Sequence, residues 1–308
     1  MPDIIAGKRF RVLDLEIRIT DALLLSAILL FNALTALGYG RVNGWLNLIL
    51  KNTLIGLVYI GLLWLTGKVR HRVVFFLLRT ASVQLLFAYL FEAVHKLQLI
   101  LSHDWNDQAV LNLEQFIFGM QPTVWLQQFI TPALTEWLMF AYVIYVPIYP
   151  ILCAIIYFKF GRDHMEDYLF TLGLTNVLCD VGFILYPVAG PMHKIRELFH
   201  VPLKGYWFTA AGEYIRLNLH QVGGTIPSPH CAIATVMWIM AYRYQRQLFY
   251  ALTPIIISLY ISTVYGRYHY VTDSIIGIMT AVLVLLIAPI VVRGWNRLGQ
   301  QEELEPLT

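Results

Sequence analysis

Long apolar runs separated by short polar segments organise this chain. A helix needs about 20 apolar residues to cross about 30 Å of hydrocarbon, and eight runs approach or reach that length. The pattern predicts an all-α integral membrane protein with about eight transmembrane helices, the sixth of them short or beginning inside the membrane. The runs are Asp21–Leu37, Trp45–Leu65, Val73–Leu101, Leu134–Phe158, Tyr168–Tyr186, His230–Tyr242, Leu248–Tyr265 and Val271–Val292.

Two longer segments between the runs differ from the other connections. Ser102–Pro132 carries acidic residues but no lysine or arginine, and its apolar residues recur at helical spacing. This pattern predicts helices that lie in the membrane interface. Pro187–Ile226 is the longest segment outside the runs, and loops of that length are usually functional or disordered. Inside the third run, Glu92 and Lys96 are four residues apart, which predicts a local ion pair.

Composition agrees with the membrane class, and charge indicates the orientation. Hydrophobic residues make up 58% of the chain and charged residues only 13%, well below the roughly 25% of ordinary soluble domains. The net charge is +3, and the basic residues gather at the ends of the runs, so we expect topology signals and no nucleic-acid partner. The positive-inside rule predicts cytoplasmic termini, although the basic residues of Pro187–Ile226 count against it.

The densest polar chemistry lies in the stretch Tyr265–Asp273, with the sequence YGRYHYVTD, between two apolar runs. His269 and Asp273 are four residues apart and share one face of a helix. A carboxylate there can fix the tautomer of the imidazole and leave its other nitrogen as a base or nucleophile. Ionisable groups at membrane depth are functional candidates by default. The alternative is a structural histidine–aspartate pair at the start of a helix.

A second histidine begins the sixth run, in the sequence TIPSPHCA. Prolines flank Ser228 just before His230, which predicts a fixed entry into a helix whose free N–H groups can bind an anion. The alternative is that Ser228 only caps the helix. With eight spans, His230 and His269 enter the membrane from the same, non-cytoplasmic face.

Two histidines, an aspartate and an arginine with helix N–H groups suit phosphoryl transfer. Arginine and N–H donors stabilise charge on phosphoryl oxygens, while one imidazole attacks phosphorus and the other protonates the leaving oxygen. A zinc site made of His230, His269 and Asp273 is the competing interpretation. It lacks an obvious further ligand, and Arg267 would repel a cation, so we expect neither a metal nor another cofactor.

These residues resemble the motifs of the type 2 phosphatidic acid phosphatase superfamily. The sequence PSPH at 227–230 looks like its P-S-G-H motif, and His269 with Asp273 looks like its final H-x-x-x-D. YPVAGP at 186–191 stands where the first motif is expected. The resemblance covers roughly Val73–Val292 and is closest to the branch that includes inositol phosphorylceramide synthases and their bacterial relatives.

The resemblance implies a domain organisation and a role for each residue. A six-helix core at 73–293, with interfacial helices at 102–132, would follow an N-terminal cytoplasmic segment and two added transmembrane helices at 1–72 and precede a cytoplasmic tail at 294–308. His269 would be the nucleophile, His230 would protonate the leaving group, and Asp273 would orient the nucleophile. The intermediate would be a phosphohistidine that forms without a metal.

The chain departs from the family motifs at the residues that bind phosphate. Pro229 replaces the glycine of the second motif, Tyr186 stands where the first motif has arginine, and Thr263 stands where the third has arginine. The expected phosphate-binding residues are therefore Arg267, Ser228 and Lys194. Fewer basic groups favour a substrate with less phosphate charge, such as a phosphodiester.

Three functions remain open at this point. The first is a lipid phosphotransferase or phosphatase, with a mild preference for head-group transfer, because the surrounding tyrosines would shield the intermediate from water. Its partners would be a lipid substrate and a lipid or alcohol acceptor in the membrane. The second is a phosphatase for polyprenyl diphosphate or for phosphatidate-type lipid phosphates. The third is a non-catalytic lipid-binding or transport protein.

Overall fold

The computed structural model describes residues 9–12, 15–218 and 221–304 of the chain. A two-stranded antiparallel ladder, β1 (Phe10–Val12) and β2 (Leu15–Ile17), precedes twelve helices in these residues. The helices are α1 (Ile19–Leu37), α2 (Trp45–Lys68), α3 (Arg72–Val94), α4 (Asp107–Phe118), α5 (Pro122–Trp125), α6 (Pro132–Phe160), α7 (Arg162–Leu185), α8 (Pro191–Lys194), α9 (Trp207–Asn218), α10 (Pro229–Tyr244), α11 (Arg246–Tyr265) and α12 (Val271–Leu304).

The prediction of an all-α, multi-pass membrane protein is confirmed. Among the described residues, seven helices are long and apolar enough to cross a membrane, namely α1, α2, α3, α6, α7, α11 and α12. The predicted sixth run is α10, which has 16 residues and is shorter than a usual span. Helix α3 ends at Val94, before the predicted Leu101, and α12 continues beyond Val292 to Leu304. The segment predicted to hold interfacial helices contains α4 and α5.

The chain divides into two compact units. The described residues of Met1–Leu97, Pro150–Val177 and Leu283–Thr308 form the first unit, and Gln98–Tyr149 with Leu178–Val282 form the second. All the residues that the sequence nominates for chemistry belong to the second unit.

A buried ionic network joins four helices of the first unit. Arg79 of α3 donates from Nε and Nη2 to the two carboxylate oxygens of Glu166 in α7, both at 2.7 Å. Its Nη1 donates to Asp21 of α1 at 2.6 Å. Asp21 also accepts from the Tyr59 hydroxyl of α2 at 2.6 Å and from the backbone N–H of Arg18 at 2.9 Å. Arg79, Glu166 and Asp21 each have hydrogen-bonded partners, which is the condition for burying charge, and the buried Arg18 guanidinium lies 3.5 Å from Glu166 as a further cation.

The ion pair predicted within the third run is wrong. Glu92 accepts a hydrogen bond from Lys51 of α2 at 2.8 Å, so its partner is on another helix and not Lys96. A contact between i and i+4 is worth only a few tenths of a kcal/mol, so a lysine on a neighbouring helix competes with it readily.

We expect Arg79→Met to lower the free energy of unfolding by about 3–5 kcal/mol, because it removes the cation that hydrogen-bonds two buried carboxylates and leaves only Arg18, 3.5 Å from Glu166, beside them. The matched control is Lys51→Met, which breaks a half-exposed pair and is expected to cost at most about 1 kcal/mol. Thermal unfolding of the two purified variants in the same detergent measures the difference. Equal shifts in the two variants would contradict a supporting role for the network.

Apolar packing in the second unit gathers the segments that carry the candidate chemistry. A buried cluster joins α4, the loop after α7 and the residue before α12. Close approach also occurs at Gly277 of α12, where an added Cβ would lie 2.5 Å from the Ser228 carbonyl oxygen and 3.2 Å from the Cβ of Cys231. Glycine therefore lets α12 pack directly against the start of α10. The cluster residues are Val110, Leu111, Val188, Ile195, Ile226 and Tyr270.

Candidate active site

Two of the nominated histidines contact each other. His230 is the second residue of α10, and His269 lies two residues before α12. The Nδ1 of His230 is 3.2 Å from the Nε2 of His269, a hydrogen-bonding distance at which one nitrogen donates and the other accepts. His269 is buried, with 3% of its surface exposed. Residues 39 positions apart in the sequence thus form one polar pair.

Asp273 lies on the other side of His269. Its Oδ2 is 3.4 Å from Nδ1 of His269 and accepts a hydrogen bond from the backbone N–H of Tyr270 at 2.9 Å. The hydrogen bond from Tyr270 satisfies an N–H at the start of α12, where no carbonyl of the helix is available, while the approach of Asp273 to His269 is an ion-pair contact. The carboxylate therefore holds the helix start and faces the imidazole at once. A proton on Nδ1 facing Asp273 leaves Nε2 of His269 as the nitrogen with a lone pair.

Ser228 is buried and caps α10. Its Oγ accepts from the backbone N–H of Cys231 at 3.4 Å, and its own backbone N–H donates to the Asp273 carbonyl at 3.0 Å. These contacts are those of the capping alternative, and they tie the start of α10 to the start of α12. Binding of phosphate by Ser228 stays a prediction.

Aromatic rings that sequence reasoning did not nominate flank His230. Tyr142 of α6 stacks on His230, with ring centroids 5.0 Å apart, and on Tyr268, with centroids 4.4 Å apart and planes within 6°. Tyr145 lies 5.4 Å from the His230 ring. The hydroxyl of Tyr268 donates to the Gly212 carbonyl at 3.2 Å. The signal in the sequence was the helical spacing of Tyr142, Tyr145 and Tyr149 in an otherwise apolar run.

Arg267 adopts a backbone conformation that side chains rarely accept. Its φ is 68°, and no other non-glycine residue in the described part of the chain has a positive φ. The guanidinium lies 4.6 Å from the Phe199 ring and donates to the Val201 carbonyl. Arg267 also lines a cavity of about 290 Å³. Lys194, the other nominated cation, is exposed at the end of α8, and its predicted contact with phosphate stays a prediction.

Thr263, which stands where the family motif has arginine, supports the histidine loop. Its carbonyl accepts from the backbone N–H groups of both Tyr268 and His269 at 3.0 Å. Its hydroxyl lies 3.1 Å from that of Ser274. This position therefore shapes the turn before His269 without supplying positive charge.

Two buried carboxylates of α4 also reach this region. Asp107 accepts from the Tyr270 hydroxyl at 2.9 Å, and Glu114 accepts from the Thr272 backbone N–H at 2.8 Å. Burial raises the pKa of Glu114. Sequence reasoning placed both residues in an interfacial helix but gave them no role. The available signal was acidic residues in a segment without any lysine or arginine to pair with them.

A family model described as the PAP2 superfamily matches residues 108–287, more than half of the chain. The chain belongs to the PAP2 superfamily. The match includes His230, His269 and Asp273, so the three residues that contact one another in this site lie inside the family region. Comparisons with curated proteins and with solved structures found no match. Membership of the PAP2 superfamily supports an enzyme that acts on phosphoric esters, of the lipid phosphatase type.

We expect the stacked ring at Tyr142 to hold His230 in place. Tyr142→Phe keeps the ring and should retain most of the rate of phosphoric ester turnover. Tyr142→Leu loses the aromatic contacts with His230 and Tyr268. Each such contact is worth about 0.5–1.5 kcal/mol, so the leucine variant should turn over about tenfold more slowly. Tyr250→Leu, which removes an exposed ring of α11, is the matched control. Equal activity of the leucine and phenylalanine variants at position 142 would contradict the role of stacking.

Proposed function

We propose that this protein is a membrane-embedded lipid phosphotransferase or phosphatase that acts through a phosphohistidine at His269. The observation that carries the proposal is that His269 contacts both His230, at 3.2 Å, and Asp273, at 3.4 Å, in a member of the PAP2 superfamily. Each of these three side chains suits one role in phosphoryl transfer. A substrate lipid, and a lipid or alcohol acceptor, would reach the residues from the membrane.

The reaction proceeds in two displacements. Nε2 of His269 attacks phosphorus, the bond from phosphorus to the leaving oxygen breaks, and His230 in its protonated form donates a proton to that oxygen and becomes neutral. Asp273 stabilises the positive charge that develops on the His269 ring. Water or an acceptor alcohol then attacks phosphorus, the bond from phosphorus to Nε2 of His269 breaks, and the proton of the attacking group passes to His230. These steps restore the neutral imidazole of His269 and the protonated form of His230. Since the two nitrogens are 3.2 Å apart, a phosphoryl group enters between them only if the rings separate on binding.

Binding of a lipid head group is supported by the cavity beside Arg267, whose lining among the described residues includes neither the histidine pair nor Asp273. Its volume of about 290 Å³ is at the small end of ligand sites, which suits a polar head group better than a whole lipid. Two guanidiniums, of Arg196 and Arg267, offer donors to phosphate oxygens, and Glu213 offers an acceptor to a head-group donor. The other lining residues are Met192, Phe199, His200, Pro202 and Leu203.

The proposed orientation places this chemistry on the non-cytoplasmic face of the membrane. It rests on the basic residues at the ends of the apolar runs and on the positive-inside rule.

We expect His269→Ala to abolish turnover of a lipid panel, because removing the nucleophile prevents formation of the phosphohistidine. The panel holds phosphatidate, a polyprenyl diphosphate and phosphodiester lipids with different head groups, presented to purified protein with and without an acceptor alcohol. Free phosphate from the wild type only would identify a phosphatase. A new phospholipid without free phosphate would identify a transferase. Acid-labile label trapped on the wild type, and not on His269→Ala, would identify the intermediate.

The variant His103→Ala is the control for loss of a histidine outside the candidate site. Equal signals from wild type and His269→Ala on every lipid would overturn the proposal and favour a lipid-binding or transport protein.

We expect Arg196→Gln to raise KM for a phosphodiester lipid about tenfold while changing kcat little, because a charged hydrogen bond to substrate is worth about 1.5–3 kcal/mol. Arg246→Gln is the matched control, since this arginine stacks on Tyr242 and does not line the cavity. Kinetics over a range of lipid concentrations in mixed micelles separate the two parameters. An unchanged KM in Arg196→Gln would exclude the cavity as the head-group site.

A further inference from the structure

Helix α4 places one buried carboxylate against two segments of the second unit. Asp107 has no exposed surface, and its Oδ2 accepts from the backbone N–H of Ala189 at 2.8 Å. Its Oδ1 accepts from the backbone N–H of Gly190 at 3.0 Å and from the Tyr270 hydroxyl at 2.9 Å. Asp107 thus connects the loop after α7 to the residue that follows His269.

A second carboxylate of α4 holds the start of α12. Glu114 is also fully buried, and its Oε1 accepts from the backbone N–H of Thr272 at 2.8 Å and from the Thr272 hydroxyl at 3.2 Å. Thr272 is the second residue of α12, so its N–H is one of the four that have no acceptor within the helix. A carboxylate at this end also interacts favourably with the helix dipole.

The two held segments bracket the proposed nucleophile. Tyr270 follows His269 directly in the sequence, and Thr272 precedes Asp273 directly. The two residues that α4 contacts therefore lie between His269 and Asp273 along the chain. On the other side, Gly190 has a φ of 95° and packs tightly: an added Cβ would lie 2.9 Å from Thr225 and 3.5 Å from the Tyr268 carbonyl oxygen. The loop that Asp107 binds therefore touches the residue before His269.

We propose that Asp107 and Glu114 are positioning residues, which fix His269 and Asp273 through the backbone of residues 270–272 and 189–190. The inference rests on the proposed function, in which His269 is the nucleophile. Neither carboxylate needs to touch the substrate. Their effect is on geometry, and a displacement of about 1 Å at a reacting group can cost about 100-fold in rate.

Asp107 and Glu114 differ in how many of their carboxylate oxygens accept hydrogen bonds. This difference allows an effect of position to be separated from an effect of negative charge. Both oxygens of Asp107 accept from N–H groups, so an asparagine there would turn its NH₂ group toward one N–H donor. Both bonds from Thr272 to Glu114 use Oε1, and within the described residues no donor meets Oε2 in hydrogen-bonding geometry, although the backbone N–H of Val271 also faces the carboxylate. A glutamine at 114 therefore keeps the accepting oxygen and places its NH₂ group where nothing is displaced. The raised pKa of Glu114 agrees with tolerance of a neutral side chain there.

The test compares Asp107→Asn with Glu114→Gln in the full-length protein. Asp107→Asn should lower kcat about 100-fold with little change in KM. Glu114→Gln should stay within about fivefold of wild type, the difference between a charged and a neutral hydrogen bond, whereas Glu114→Ala should resemble Asp107→Asn. Asn112→Ala, which removes an exposed side chain bonded to Gln108 on the same helix, is the control. Thermal unfolding of every variant checks that the fold is retained.

A second readout separates this proposal from the proposed function. In protein labelled with ¹⁵N-histidine, the signals of His269, assigned with His269→Gln, report its tautomer and its contact with Asp273. These signals should change in Asp107→Asn and stay as in wild type in Glu114→Gln, whether or not the protein turns over a lipid. Wild-type signals in a folded Asp107→Asn, or equal losses in Asp107→Asn and Glu114→Gln, would overturn the positioning role.

Discussion

Backbone N–H groups at helix starts need acceptors, and the second unit depends on carboxylates to supply them. Glu136 of α6 accepts from the N–H groups of Tyr206, Phe208 and Thr209, which begin α9. Glu114 does the same for α12, as does Asp107 for the loop after α7. A buried N–H without a partner costs about 1–3 kcal/mol, so the acceptors at the buried helix starts contribute to stability. The buried carboxylates of α4 therefore act as acceptors for backbone N–H groups.

The sequence predicted what local pattern determines and missed what tertiary contacts decide. Apolar runs predicted the existence and order of the long helices, although the ends of α3, α7 and α12 differ from the predicted ends by six to twelve residues, and the i, i+4 spacing of His269 and Asp273 anticipated their contact. The partner of Glu92 was wrong because Lys51 reaches it from another helix. Tyr142 was missed because the helical spacing of Tyr142, Tyr145 and Tyr149 indicates a shared helix face but not the ring that this face meets.

Family membership indicates the class of chemistry, and the individual contacts show what single residues do in the structure. The family match covers the two histidines and the aspartate, and it supports chemistry on phosphoric esters. It says nothing of why Thr263 can stand where the motif has arginine. The structure shows what this position does in the chain: the Thr263 carbonyl receives the N–H groups of Tyr268 and His269, a backbone contact that does not depend on the side chain. The Thr263 side chain adds a hydroxyl 3.1 Å from that of Ser274 and no charge.

The unusual backbone conformation of Arg267 results from the same turn. With Tyr268 and His269 both donating to Thr263, the chain must reverse within a few residues, and the reversal places Arg267 at a φ of 68°. Glycine or asparagine would adopt this conformation with less strain, which for other residues is of order 1–3 kcal/mol. An arginine in that position, stacked on Phe199 and lining the cavity, keeps a cation at the cost of that strain. Strain retained beside a candidate nucleophile agrees with the proposed role of the guanidinium in binding substrate, while its contacts with Phe199 and the Val201 carbonyl hold it in place.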